Sequence, residues 1–173
     1  MDQYSPVRVI FICSGNICRS PFGEVVAVSE FRKRGRAAAV VSMGTLGLEG
    51  YAADRKMVGV AESMGYDLRG HRSRGLVRPL LRVADCIFVM EQQHFDVLAS
   101  YVPDAVERIY FLGSYSGSGQ LEIADPVGRS VRFFEIIARE IEFSVQNALS
   151  ALFFDDDFSL DTSGFMDGKG GDV

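Results

Sequence analysis

The chain has 173 residues, 47% hydrophobic and 24% charged, with a net charge of −5. That is the profile of a globular domain and excludes a fibre, a disordered chain or a disulfide-stapled mini-protein. No run approaches the roughly 18 apolar residues of a membrane helix. Residues 1–6 also lack the basic-then-apolar order of a signal peptide, so a cytoplasmic protein without membrane contact is expected.

Charge is unevenly distributed. Residues 155–173 hold six aspartates and one lysine, which leaves the remaining body neutral. Within that body, residues 1–83 carry 13 basic and 7 acidic groups, and residues 84–154 carry 4 and 10. A neutral body with an acidic tail argues against a nucleic-acid partner, which needs a coherent basic surface, but admits a small anion.

Residues 7–12 (VRVIFI) form a β-branched and aromatic run, the pattern of a strand buried on both faces. Ser20 and Pro21 offer a helix cap and a first-turn proline, and the helical run 22–34 closes at Gly35. A short strand follows at 40–43, a helix at 53–64 ended by Gly65, a strand at 85–90, a helix at 91–101 and a strand at 106–112. After the small-residue loop SYSGSGQ come Asp125-Pro126 and a long helix from about 130 to 154. Strands alternating with helices imply right-handed crossovers, hence an α/β fold with an open parallel sheet and helices on both faces. Ligands of such sheets bind beyond the carboxyl ends of the strands, which places the loop from Cys13 and the loop holding Asp125 on one rim. The expected organisation is one domain over 1–154 and a poorly ordered, acidic, glycine-rich tail over 155–173.

The three cysteines, Cys13, Cys18 and Cys86, are too few and odd in number for a disulfide framework, so thiol chemistry is the better question. The segment Cys13-Ser14-Gly15-Asn16-Ile17-Cys18-Arg19-Ser20-Pro21 joins a buried strand to a helix N-terminus. By spacing alone a cysteine six residues before an arginine is weak evidence, with roughly 0.26 chance occurrences expected in this composition. Context strengthens it. Five intervening residues suffice to curl the backbone into a half-ring of inward N–H groups, and Gly15 and Asn16 tolerate left-handed angles. Such a ring is an anion cradle formed by Ser14, Gly15, Asn16, Ile17, Cys18 and Ser20. Cys13 at its centre is favoured as thiolate, a nucleophile, and the planar fork of Arg19 can hold two oxygens of a tetrahedral oxyanion. A lone pair of this kind would more simply be a buried strand end and a surface arginine. The strand, the Gly-Asn turn, the Ser-Pro pair and a distant acid reverse those odds.

These residues resemble the low-molecular-weight protein tyrosine phosphatases. The likeness rests on FICSGNICRSP, Ser42 in SMGT, HRSR at 71–74, DCIFVM, FLGSY at 111–115 and Asp125-Pro126, and it spans residues 7 to about 152. The resemblance implies a four-stranded parallel sheet of the flavodoxin-like, phosphotyrosine protein phosphatase I type, with neither metal nor cofactor. It also implies a phosphorylated protein as substrate, and phosphoryl transfer to Cys13 followed by hydrolysis. In the family the residue matching Asp125 is the general acid, which the chemistry also requires, because a leaving oxygen must be protonated as its P–O bond breaks. Asn16, Ser42 and His71 match family groups that hydrogen-bond to keep the loop asparagine in its strained conformation. Ser20 is placed to donate to the Cys13 sulfur.

Cys18 lies near enough to Cys13 for a reversible disulfide, or is simply a small side chain under the loop. The tyrosine-directed members carry aromatic residues directly after Asp-Pro, where this chain has Val127 and Gly128. Leu46, Leu48 and Tyr51 are candidates for the missing apolar wall. Protein-arginine phosphatases related to the family usually have threonine at the Ile17 position, so phosphotyrosine ranks first and phosphoarginine second. Arsenate reduction needs further cysteines in a mobile segment, and residues 66–84 contain none. A non-catalytic phosphoprotein-binding module would need neither Cys13 nor Asp125. From the composition of the tail, deleting residues 156–173 is expected to leave the melting temperature within a few degrees of the full chain by differential scanning calorimetry.

Overall fold

The computed structural model describes residues 5–154; the expectation for the tail at 155–173 lies outside the described residues. Strands β1 (Val7–Cys13), β2 (Ala38–Gly44), β3 (Cys86–Val89) and β4 (Ile109–Phe111) form one parallel sheet in the order β2-β1-β3-β4. Helices α1 (Arg19–Lys33), α2 (Arg55–Ser63) and α5 (Val131–Leu149) pack on one face, α3 (Arg78–Val83) and α4 (Gln92–Tyr101) on the other. The unbroken apolar run of β1 follows from this sandwich. Val9, Phe11 and Cys13 face the α1, α2 and α5 side, while Ile10 and Ile12 face α3 and α4. Helix α5 supplies Phe134, Ile137, Ile141 and Val145 to the first of these cores.

β1 lies between β2 and β3, and the connections leaving it on either side diverge beyond its carboxyl end. That is the switch point at which open α/β sheets bind ligands. Cys13 is the last residue of β1 and pairs in register with Gly44, the last of β2.

The elements differ from the sequence expectations in places with local causes. Helix α1 begins at Arg19 after Cys18, so Ser20 is inside the first turn and not its cap; its hydroxyl turns back to the loop. Gly35 follows the helix with a φ of 62°, as its position suggests. Residues 103–108, expected partly as strand, form a 3-10 turn opened by Pro103, whose ring fixes φ, and the strand is reduced to Ile109–Phe111. Helix α3 is six residues long and buries only Leu81, too little to show a period in sequence. Ser130 caps α5 by accepting from the Phe133 N–H at 3.3 Å. The helix ends at Leu149, and residues 150–154 widen into a π-type turn that sets Phe153 and Phe154 against Phe31.

Gly44 fixes how closely β2 can approach the loop after β1. A Cβ at this position would stand 2.7 Å from Ser14 O and 2.9 Å from Asn16 N, both backbone atoms. The next two residues hold the approach, with Thr45 N–H donating to Cys13 O and Leu46 N–H to Ser14 O, each at 3.0 Å. Gly44→Ala should therefore distort the loop, costing about 1–3 kcal/mol of stability in urea unfolding.

Candidate active site

The loop from Ser14 to Cys18 carries a single residue at positive φ: Asn16, with φ at 52°, the only such non-glycine among the described residues. Asparagine adopts this region at low cost, and here its side-chain amide and backbone carbonyl are all engaged. Asn16 Nδ2 donates to Ser20 Oγ at 2.9 Å and to Ser42 Oγ at 2.8 Å. Its Oδ1 accepts from Arg74 N at 2.9 Å, and its backbone carbonyl lies 2.7 Å from His71 Nε2. Ser42 passes its own hydrogen to Glu24 Oε2 at 2.5 Å. The structure thus brings together Asn16, Ser20, Ser42 and His71. It adds Glu24 and the Arg74 amide, which the sequence reading missed.

Pinned this way, the loop leaves its amides uncommitted: the N–H groups of Gly15, Asn16, Ile17 and Cys18 find no protein acceptor among the described residues. They sit at the N-terminus of α1, where the helix dipole favours an anion. Cys13 Sγ lies 3.0 Å from Ser20 Oγ. Because Asn16 already donates into that hydroxyl oxygen, the Ser20 hydrogen faces two acceptors, the sulfur at 3.0 Å and the Met43 carbonyl oxygen at 3.4 Å.

Arg19 is 1% exposed and turned into the same space. Its Nη1 donates to Glu91 Oε2 at 2.6 Å and to the Ile123 carbonyl at 2.8 Å, and its Nη2 to Asp125 Oδ2 at 2.5 Å. A buried cation requires such partners. Among the described residues, Nε–H and the second Nη2 hydrogen have no protein acceptor, which leaves a donor pair suited to two oxygens of one anion. The Asp125 carboxylate is 40% exposed, and its Oδ1 accepts from Val127 N at 3.0 Å, so the Asp-Pro loop turns on its own side chain.

A pocket of about 170 Å³ opens over Cys13, lined among others by Ser14, Arg19, Asp125 and the apolar Leu46, Leu48 and Val127. Leu46 and Leu48 thus take the place foreseen for an apolar wall, and Tyr51 is not part of this lining. Burial pushes the Cys18 thiol up, and Cys86 in β3 likewise, which disfavours both as thiolates. The three cysteines are free thiols.

In sequence, Glu91 and His94 mark only the start of a helix. The signal available was EQQH immediately after a buried strand, two polar groups three apart on the first turn facing the rim. In the structure Glu91 anchors Arg19, and His94, fully buried, meets Ser14 Oγ with its Nε2 at 2.9 Å.

Residues 8–156 match the family model described as low molecular weight phosphotyrosine protein phosphatase. The chain belongs to this family. It is 33% identical over 146 residues to the low molecular weight protein-tyrosine-phosphatase Etp of Escherichia coli K12, covering 84% of this chain and 95% of Etp. The crystal structure of the tyrosine phosphatase AmsI of Erwinia amylovora superposes with a TM-score of 0.78 at 29% identity, covering 88% of this chain and 97% of AmsI. A mutant of the YwlE arginine phosphatase with a phosphorylated active-site serine superposes with a TM-score of 0.79 at 26% identity, covering 87% and 98%. The fold is that of the family, and the chain is an enzyme of the phosphoric monoester hydrolase class. No described helix is long and apolar enough to cross a membrane.

Burial, and then the adjacent Arg19 cation, hold His94 down to a pKa of about 4 against an ordinary 6.5. Between these values the unfolded chain takes up a proton that the folded chain refuses. The His94 contribution to stability is therefore full above about pH 6.5 and is lost as pH falls towards 4. In urea unfolding between pH 7 and 4.5, His94→Leu should lose less stability with acidification than the wild type.

Proposed function

We propose that the protein hydrolyses phosphotyrosine in phosphorylated proteins by a metal-independent double displacement on Cys13. The observation that carries this reading is the convergence on one pocket of the Cys13 sulfur, the inward Arg19 guanidinium and the Asp125 carboxyl. The phosphoryl oxygens are held by the loop amides of residues 14–18 and by the Arg19 fork, donors that stay with the oxygens as the phosphorus becomes trigonal. The Cys13 thiolate attacks phosphorus while Asp125, as carboxylic acid, gives its proton to the leaving phenolic oxygen. The Asp125 carboxylate then takes a proton from the water that cleaves the phosphocysteine and releases inorganic phosphate. The Arg19–Asp125 contact supports this placement, since it keeps the acid at the edge of the oxyanion site on a partly exposed loop.

The rim ranks the substrates. Ile17, Leu46, Leu48 and Val127 make an aliphatic mouth that suits the face of a phenyl ring. Phosphoarginine is the second reading, favoured by the absence of aromatic residues after Asp125-Pro126 and by the likeness to YwlE.

Cys13→Ser should abolish turnover of p-nitrophenyl phosphate while vanadate binding persists, and EDTA should leave wild-type turnover intact. Asp125→Ala should slow hydrolysis by about 10²–10⁴-fold for poor leaving groups and much less for good ones. Equal slowing for all leaving groups would contradict the proton-donor role. Rates measured side by side on phosphotyrosine and phosphoarginine peptides decide between the two substrates.

A further inference from the structure

The hydroxyl of Ser14 stands in a chain of hydrogen bonds whose direction is fixed at its buried end. The Glu91 backbone N–H donates to His94 Nδ1 at 3.1 Å. That nitrogen is therefore an acceptor, and the hydrogen of the neutral ring sits on Nε2. Nε2 lies 2.9 Å from Ser14 Oγ and 3.7 Å from Glu91 Oε2, so its hydrogen goes to the serine. Ser14 Oγ is thereby committed as an acceptor. Its own hydrogen has no protein acceptor among the described residues, and Ser14 lines the pocket over Cys13. A hydroxyl whose lone pair is taken by a buried donor is turned to donate outward, and polarised in doing so.

We propose that Ser14 is a catalytic residue whose hydroxyl donates to a phosphoryl oxygen in the pocket, with His94 and Glu91 as the positioning residues that aim it. This role rests on the phosphatase reading above and extends it: the loop offers the oxyanion a side-chain donor besides its amides and Arg19. Glu91 serves both, since its carboxylate holds Arg19 Nη1 while its amide sets the His94 tautomer. One residue at the start of α4 thereby orients the guanidinium and the hydroxyl towards the same anion.

Ser14→Ala, Ser14→Thr, His94→Leu and the Ser14→Ala/His94→Leu double variant test this against the wild type. The readouts are KM and kcat for p-nitrophenyl phosphate and the inhibition constants of inorganic phosphate and vanadate. A hydrogen bond to a charged acceptor predicts that Ser14→Ala weakens phosphate and vanadate inhibition by about tenfold or more and raises KM comparably, with a smaller change in kcat. Ser14→Thr, which keeps the hydroxyl, should stay within about threefold of wild type on the same scale. If His94 acts through Ser14, the double variant should lose no more oxyanion affinity than Ser14→Ala alone. The proposal is overturned if Ser14→Ala binds both anions as the wild type does, or if the losses from Ser14 and His94 simply add. A wild-type protein that neither turns over the ester nor binds vanadate would instead sink the phosphatase reading itself, and this role with it.

Discussion

Asn16 is the constraint on which the site depends. Its backbone occupies the left-handed region, which a chain of L-residues enters only where the surroundings hold it. Here the hold comes from four residues in three segments: Ser20 in the first turn of α1, Ser42 in β2, and His71 and the Arg74 amide from the connection that precedes α3. The residue is wholly buried, so each of these polar groups would carry a desolvation cost if its partner were removed. The left-handed turn bends the loop back under the start of α1 and leaves its amides facing one small volume. The cradle is thus a product of the sheet edge, the helix start and a distant connection acting on one residue.

The second organising element is a buried cation with a defined set of acceptors. Arg19 is almost without solvent, and its charge is met by two carboxylates and a carbonyl from β3's exit and the Asp-Pro loop. This balance has consequences beyond Arg19. It keeps Asp125 beside Arg19 at the pocket over Cys13, and the guanidinium, after burial, helps hold His94 neutral while Glu91 and Asp125 oppose it. The neutral ring is then available as a directional donor.

The mouth of the pocket is chemically distinct from its floor. Leu46 is 67% exposed and Val127 51% exposed, both near an interior that otherwise presents hydrogen-bond donors and a sulfur. Exposed apolar side chains around a polar cleft mark a surface that gains from being covered. In the proposed function the floor holds the phosphoryl group through charge and hydrogen bonds, and the rim meets what the group is attached to. The rim is aliphatic, formed by Ile17, Leu46, Leu48 and Val127.

Much of this was legible in the linear order of residues, because the determining signals are local. The apolar run ending at Cys13, the Gly-Asn pair, and the spacing of Cys13 to Arg19 act within a dozen positions, where backbone geometry leaves few alternatives. The alternation of strands and helices likewise determined the parallel sheet and the rim on which Cys13 and Asp125 meet. Where local signals were weak, the sequence misassigned: α3 is too short for a period, and Pro103 converts the approach to β4 into a 3-10 turn. The partners of Arg19, Ser14 and Ser42 were decided only in three dimensions. Glu91, His94 and Glu24 are ordinary polar residues in helices until the packing of α1 and α4 against the sheet brings them to the loop, at separations of up to 80 residues from the groups they contact. Hydrogen bonds of that kind leave no periodicity in a sequence, since either partner alone reads as a solvated side chain.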